Sequence, residues 1–320
     1  PTTASRKRVR ERLRDVRRSV LAPRPRLTLS RWADAHARLS AETSAEPGPW
    51  TTMGFQREPL DSMGDPAVRR VAVMKGARLG MTKCLLWCTA YHLAYDPSPV
   101  VFFQPTVDDV RDFDRSEVVP MVRDIESVRA VSNISFEGAK QKDVWHSRTF
   151  KNGASLRLRG AASEDAFRRL TTRVNSGDEV DGDGWNAVGA QGSDKLTLLR
   201  RRGTTFWNSK FIVTSTPRFP AEDGGRIHRE FLGGDQRRYW VPCPECGEMQ
   251  VLEWGDRDSL SGMKWDDSGS VWYQCVSGCR IPESRKRWMD ERGEWRPDNP
   301  GAPYPSYHMW CVLSPFPDAS

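Results

Sequence analysis

No apolar run in this 320-residue chain approaches the roughly 20 residues needed to cross a bilayer. No segment has the basic, apolar and small-residue order of a secretory signal. These two absences lead to the expectation of a soluble, intracellular protein with no membrane partner. Cysteine is sparse, at 7 residues. An odd number in a chain without a secretion signal argues for free thiols and metal ligands over disulfides. Charge of one sign does not dominate either. The net charge is +7 and the sequence pI about 9.2, but 42 acidic residues are interspersed, so a polyanionic partner is only weakly indicated.

Residues 1 to about 40 carry the densest basic run, with Arg6, Lys7, Arg8, Arg10, Arg12, Arg14, Arg17 and Arg18 broken only by Glu11 and Asp15. Such a run is a solvated tail, a helix docking on a partner, or an arm that neutralises phosphates. Pro23 and Pro25 separate it from a short helix starting near Leu29, for which Ser30 is the expected N-cap.

Val71 to Met74 is a short apolar run followed by Lys75-Gly76-Ala77-Arg78-Leu79-Gly80-Met81-Thr82 and then by Cys84, Leu85, Leu86, Trp87, Ala90 and Leu93 at helical spacing. Strand, glycine turn and helix in that order form what a phosphate-binding loop requires. Gly80 occupies the second glycine position of G-x-x-x-x-G-K-[ST], Lys75 stands at the loop's first position with Gly76 one place on, and Thr82 takes the hydroxyl position that ligates magnesium. Met81 stands where the lysine belongs. Another cation must then reach the β,γ-phosphates, and Lys75 and Arg78 are the nearest. The same residues also describe an ordinary glycine turn with surface cations.

Further apolar runs at Val100–Phe103 and Phe211–Thr214 suit strands buried on both faces of a parallel sheet. The former leads through Gln104-Pro105-Thr106 into a helical pattern over 107–122, with Thr106 as its cap. Asn152-Gly153 between alternating runs predicts a hairpin. A helix is expected near 165–170 and another over 196–202, ending at Gly203. Asp178-Glu179 closes a weak strand interrupted by Arg173, Asn175 and Ser176. Paired carboxylates at a strand end can hold magnesium and orient a water, with Asp181 and Asp183 as competitors for the metal. Ser215-Thr216-Pro217 ends the Phe211 strand, where hydroxyls could sense a γ-phosphate. Phe55-Gln56-Arg57-Glu58-Pro59 precedes the glycine loop, and the Gln56 amide suits an adenine edge. Cys243-Pro244-Glu245-Cys246 and Cys275-Val276-Ser277-Gly278-Cys279 are spaced as a Cys₄ zinc ribbon. Cys84, Cys88 and Cys311 are expected in the core. The late tryptophans (Trp254, Trp265, Trp272, Trp288, Trp295, Trp310) are expected to pack a small domain whose thin core a metal would support.

In this order the motifs resemble those of lambda-type terminase large subunits, the DNA-packaging motors of tailed bacteriophages. The resemblance runs over about residues 50–317 and includes the ending Trp310-x-x-x-Ser314-Pro315-Phe316. It implies an α/β fold of the P-loop NTPase (helicase/terminase-like) type, with a mostly parallel sheet flanked by helices and a small zinc-ribbon subdomain. The expected divisions are a basic arm over 1–46, an ATPase domain over 47–238, and the ribbon with the start of a linker over 239–320. ATP and Mg²⁺ would be bound by Gln56, by Lys75 to Thr82 and by Asp178, and zinc by Cys243, Cys246, Cys275 and Cys279. Lys75 would replace the missing lysine, Arg78 would act on the γ-phosphate, Glu179 would orient water, and Ser215, Thr216 and Pro217 would couple hydrolysis to DNA grip. Double-stranded DNA, a small subunit, a portal protein and a homo-oligomeric ring in the host cytoplasm are the implied partners and setting. The family's RNase H-type nuclease cluster is missing, so a fragment without DNA cleavage is expected. A helicase-like remodelling ATPase, and a zinc-dependent DNA-binding module with an inactive loop, are the alternative readings.

Overall fold

The computed structural model describes residues 27–133, 145–186, 194–256 and 258–314. The arginine run before Leu27 and the Pro315-Phe316 ending lie outside the described residues. Helix α1 (Leu29–His36) buries Leu29, Trp32 and Ala33 and packs on α2 (Gly54–Gly64). Thr28, not Ser30, takes the N-cap position. Ser30 sits in the first turn, and its N–H donates to Asp61 Oδ1 at 2.8 Å, so a carboxylate from α2 supplies the cap.

Strand β1 (Arg70–Lys75) runs through the glycine loop into α3 (Met81–Ala94). Apolar residues surround α3 on all sides, and 12 of its residues are buried, as befits a helix enclosed by its neighbours. Leu85 on this helix is fully buried. Leu85→Ala is expected to lower stability by about 2–5 kcal/mol, read as a fall in the urea unfolding midpoint.

Strand β2 (Pro99–Gln104) leads into α4 (Val107–Phe113). Thr106 Oγ1 accepts from Asp109 N at 3.1 Å, the cap that the sequence predicts, and the Asp109 carboxylate accepts in return from Thr106 N at 3.0 Å. The expected helix over 107–122 is interrupted by a π turn, Asp114–Val118, before α5 (Val119–Asp124). Buried Arg148 pins the turn by donating to Asp114 Oδ2 at 2.9 Å, and Lys83 of α3 pairs with Glu117.

The hairpin forms as expected: β3 (Ser147–Thr149) pairs antiparallel with β4 (Ser155–Gly160) around Asn152-Gly153. In place of the helix near 165–170 there is a short 3₁₀ turn, Glu164–Phe167, which Ser163 caps. Then come β5 (Val174–Gly177), α6 (Lys195–Arg200) with a 3₁₀ turn ending at Gly203, β6 (Lys210–Ser215) and α7 (Arg226–Leu232).

After residue 236 the chain returns to the sheet. Strands β7 (Arg237–Pro242), β12 (Glu294–Pro297) and β13 (Ser306–Met309) join it, together with β8 (Met249–Val251). Only β9 (Gly262–Trp265), β10 (Val271–Gln274) and β11 (Arg280–Ile281) form a separate small sheet, followed by α8 (Lys286–Asp290). Strands from both sides of residue 238 therefore share one core, in which Phe55 meets Tyr239 edge-on, Tyr239 packs tilted on Trp295, and Trp295 meets Tyr307 edge-on.

The sheet order is β8-β7-β13-β1-β6-β5-β2-β4-β3, with β12 beside β7. The six strands from β13 to β4 run parallel. Their carboxyl ends gather at one edge, where ligands bind in open α/β sheets. Among the described residues no helix is long and apolar enough to cross a membrane.

Candidate nucleotide site and cysteine cluster

At that edge, β1, β6 and β5 are neighbours, so Lys75, Ser215-Thr216 and Asp178-Glu179 converge although they lie far apart in sequence. Buried Lys75 donates to Glu179 Oε1 at 2.5 Å and lies 3.4 Å from Thr216 Oγ1. The other Glu179 oxygen accepts from Thr216 N at 3.2 Å and from Ser215 Oγ at 3.4 Å. Glu179 thus bridges the strand that opens the glycine loop and the strand that ends in Ser-Thr-Pro. Its φ of +46° is left-handed, a strained setting for a residue with a side chain and one found where geometry serves function.

Asp178 is fully enclosed. Its Oδ2 accepts from Thr82 Oγ1 at 2.8 Å, and its Oδ1 accepts from Glu179 N at 3.0 Å and from Thr214 Oγ1. Burial pushes its carboxyl above the usual range, and the Lys75 charge opposes that push. The hydroxyl and the carboxylate expected to share a magnesium are therefore adjacent. Asp181 and Asp183, the competitors for that task, have other partners. Asp181 accepts from Arg226 N, Ile227 N and Arg218 N, capping α7, and Asp183 pairs with Arg218 at 2.6 Å.

Met81 opens α3 with its side chain in the core, which is why this position cannot present a cation. Arg78 is exposed on the loop, and its φ of +58° with Gly80 at +72° turns the backbone so that successive N–H groups can line a concavity. The loop rests on a turn near the end of the described chain. Gly76 N donates to Met309 O at 2.8 Å, and a Cβ at Gly76 would come within 2.7 Å of Cys311 N. Cys311, expected in the core, is half-buried beneath the loop; Cys84 and Cys88 are buried as expected.

Gln56 is buried with both ends of its amide engaged. Oε1 accepts from Met53 N at 3.1 Å and Nε2 donates to Leu79 O at 2.8 Å. The side chain braces the loop, a role the sequence does not reveal. Asp290, at the end of α8, caps α2 through Gly54 N and Phe55 N at 2.8 and 2.9 Å. Asp290 escaped the sequence reading, and Thr214 and Ser314 entered it only as parts of a strand and of the ending motif, since their partners are set only by tertiary contact.

The four cysteines converge, with all sulfurs within 4.8 Å of one another. Cys246 Sγ and Cys275 Sγ are 3.8 Å apart, far beyond a disulfide and close to the edge of a tetrahedron of thiolates about 2.3 Å from a central zinc. The Glu248 N–H holds the Cys246 thiol below its usual range, whereas burial pushes Cys243 up and hydrogen bonds with Cys246 and Cys275 push Cys279 up, so the four sulfurs share one proton balance and their convergence, not any single shift, points to a metal. Of the late tryptophans, Trp295 is buried, whereas Trp254 and Trp265 are exposed and do not pack a core.

A mostly parallel sheet that gathers a glycine loop, a Thr–Asp pair and a Lys–Glu pair at one edge defines an α/β domain with a candidate nucleotide site. The family model for the ATPase domain of the phage terminase large subunit gpA matches residues 44–295, and the chain belongs to that family. The terminase large subunit of Enterobacteria phage P21 is 31% identical over 323 residues, covering 93% of this chain and 49% of that protein. The terminase large subunit of Escherichia phage lambda is 30% identical over 338 residues, covering 97% and 50% respectively. The chain thus spans about half the length of these relatives. Among solved structures, the large terminase ATPase domain of Thermus phage P74-26 aligns with a TM-score of 0.38 and 14% identity over 55% of this chain and 68% of that one.

Proposed function

We propose that this chain is the motor part of a terminase large subunit, coupling ATP hydrolysis to the movement of double-stranded DNA into a procapsid. The observation that carries this reading is the Lys75–Glu179–Thr216 bridge, which joins the glycine loop, the carboxylate pair and the Ser-Thr-Pro strand end in one contact network. Lys75 neutralises the β,γ-phosphates in place of the residue missing at Met81, and Arg78 reaches the γ-phosphate from the exposed face of the loop. Thr82 and Asp178, now hydrogen-bonded to each other, would hold Mg²⁺, which would supply charge neutralisation at the phosphate oxygens. Glu179 orients the attacking water. When the γ-phosphate leaves, the balance of contacts on Glu179 changes, and Ser215 and Thr216 carry that change into β6. Gln56 acts through Leu79 on the loop, with one amide hydrogen and one lone pair left for a base edge. The small subunit, the portal and a ring of identical subunits in the host cytoplasm complete the machine.

The test is ATP hydrolysis by the chain assembled on duplex DNA, with displacement of the duplex and strand separation measured side by side. Hydrolysis with duplex movement supports the motor. Strand separation would favour a helicase-like remodeller, and no hydrolysis under any assembly would leave a zinc-ribbon DNA-binding module.

In the ribbon, Cys243, Cys246, Cys275 and Cys279 close a structural zinc shell. Purified protein is expected to carry one zinc per chain by elemental analysis, and Cys275→Ser to lose it and to become sensitive to proteolysis between residues 243 and 279. Full zinc retention by that variant would refute the four-thiolate site.

A further inference from the structure

The turn that ends the described chain shapes the glycine loop. Ser314 is fully buried, and its Oγ donates to Arg78 O at 3.2 Å. Arg78 is the non-glycine residue of the loop whose backbone is left-handed, a conformation that strains a residue with a Cβ. One turn earlier, Gly76 is held against Trp310 and Cys311, with so little space that a Cβ would meet backbone at 2.7 Å. The Ser314 carbonyl in turn accepts from Lys286 Nζ at 3.0 Å, and Lys286 pairs with Glu283 at 2.6 Å. Two independent contacts, a hydroxyl on a carbonyl and a backbone against a glycine, therefore fix the loop from one segment 236 residues away in sequence.

We infer that Ser314 is a positioning residue for nucleotide binding. Its hydroxyl holds the Arg78 peptide in the left-handed turn, so that the following N–H groups face the phosphates. This deepens the nucleotide reading of the loop and rests on it. A loop peptide freed from Ser314 relaxes toward right-handed φ and turns its N–H groups away from a bound anion. Lys286, which follows the small sheet whose β10–β11 turn supplies Cys275 and Cys279, steadies Ser314 and so ties that part of the chain to the loop.

The experiment is ATPγS binding in the presence of Mg²⁺, by calorimetry, with steady-state ATP kinetics on DNA alongside. Ser314→Ala is expected to weaken binding about fivefold, the effect of losing one ordinary hydrogen bond. It should raise KM for ATP by a similar factor and leave kcat within about twofold, since the contact acts before chemistry. Ser314→Thr, which keeps the donor, should lie closer to wild type, and Lys286→Met should weaken binding by about twofold, having lost only the contact that steadies Ser314. A wild type that binds ATPγS beside an equally tight Ser314→Ala overturns this inference alone. A wild type that binds no nucleotide overturns the nucleotide reading and the inference with it.

Discussion

Lys75→Ala is expected to lower kcat/KM for ATP by about 10²–10³, the loss typical of removing one preorganised charge from a reacting anion. The reason is local. In most phosphate loops the helix presents its lysine at the position filled here by Met81, whose side chain is buried in the core. Lys75 at the end of β1 is the ammonium proposed in its place, and it is buried and donates to Glu179. Arg78, exposed on the loop, does not contact that carboxylate among the described residues. Removing Lys75 has a second consequence. Its charge opposes the burial that raises the Asp178 carboxyl, so that carboxyl rises further in the variant. The loss of activity should accordingly be deepest at the acid end of the pH profile and lessen as pH rises, because Asp178 must be ionised to hold a cation. Lys75→Arg should recover only part of the rate, since a planar guanidinium does not reproduce a point charge in an enclosed site. Hydrolysis by the chain assembled on DNA, with the urea midpoint as a check on folding, measures this. A rate within threefold of wild type would dismiss Lys75 as the replacement cation.

Much of this arrangement was legible in the sequence where the signal is local. Val71–Met74, Val100–Phe103 and Phe211–Thr214 are continuous apolar runs, and each forms a strand buried on both faces. The two cysteine pairs announce their cluster through spacing alone. The strand before Asp178 reads poorly because Asn175 and Ser176 are polar, yet both are buried. Asn175 is satisfied inside the sheet: its Oδ1 accepts from Thr172 Oγ1 at 2.7 Å and its Nδ2 donates to Lys210 O at 3.1 Å. A polar residue in a core strand is costly only when its partners are missing, and those partners cannot be seen one-dimensionally.

The return of the chain to the sheet after residue 236 had no local mark either. Ser306–Met309 is a four-residue segment, but it pairs in parallel with β1 at the centre of the molecule. That pairing brings Trp310 to Ser314 beneath the glycine loop. Asp181 illustrates the reverse case. Its type and position suit a magnesium ligand, but three backbone N–H groups occupy its carboxylate, and only the fold could reveal them.

Glu179→Gln should separate binding from chemistry. The substitution keeps the size of the side chain and an oxygen that can accept from Thr216 N, so the strand end stays in place. It removes the negative charge opposite Lys75 and the basic oxygen that would polarise a water. Loss of a positioned general base typically costs about 10²–10⁴ in rate. Nucleotide affinity should stay level or improve, because the Lys75 ammonium, released from its ion pair at 2.5 Å, is freer to meet a phosphate. A single-turnover assay with ATP prebound distinguishes the two effects. A slow chemical step with intact binding places Glu179 at the water. Wild-type turnover, or weakened binding with an unchanged chemical step, would instead make Glu179 a structural bridge between β1 and β6, and the search for the base would move to a residue of a neighbouring subunit.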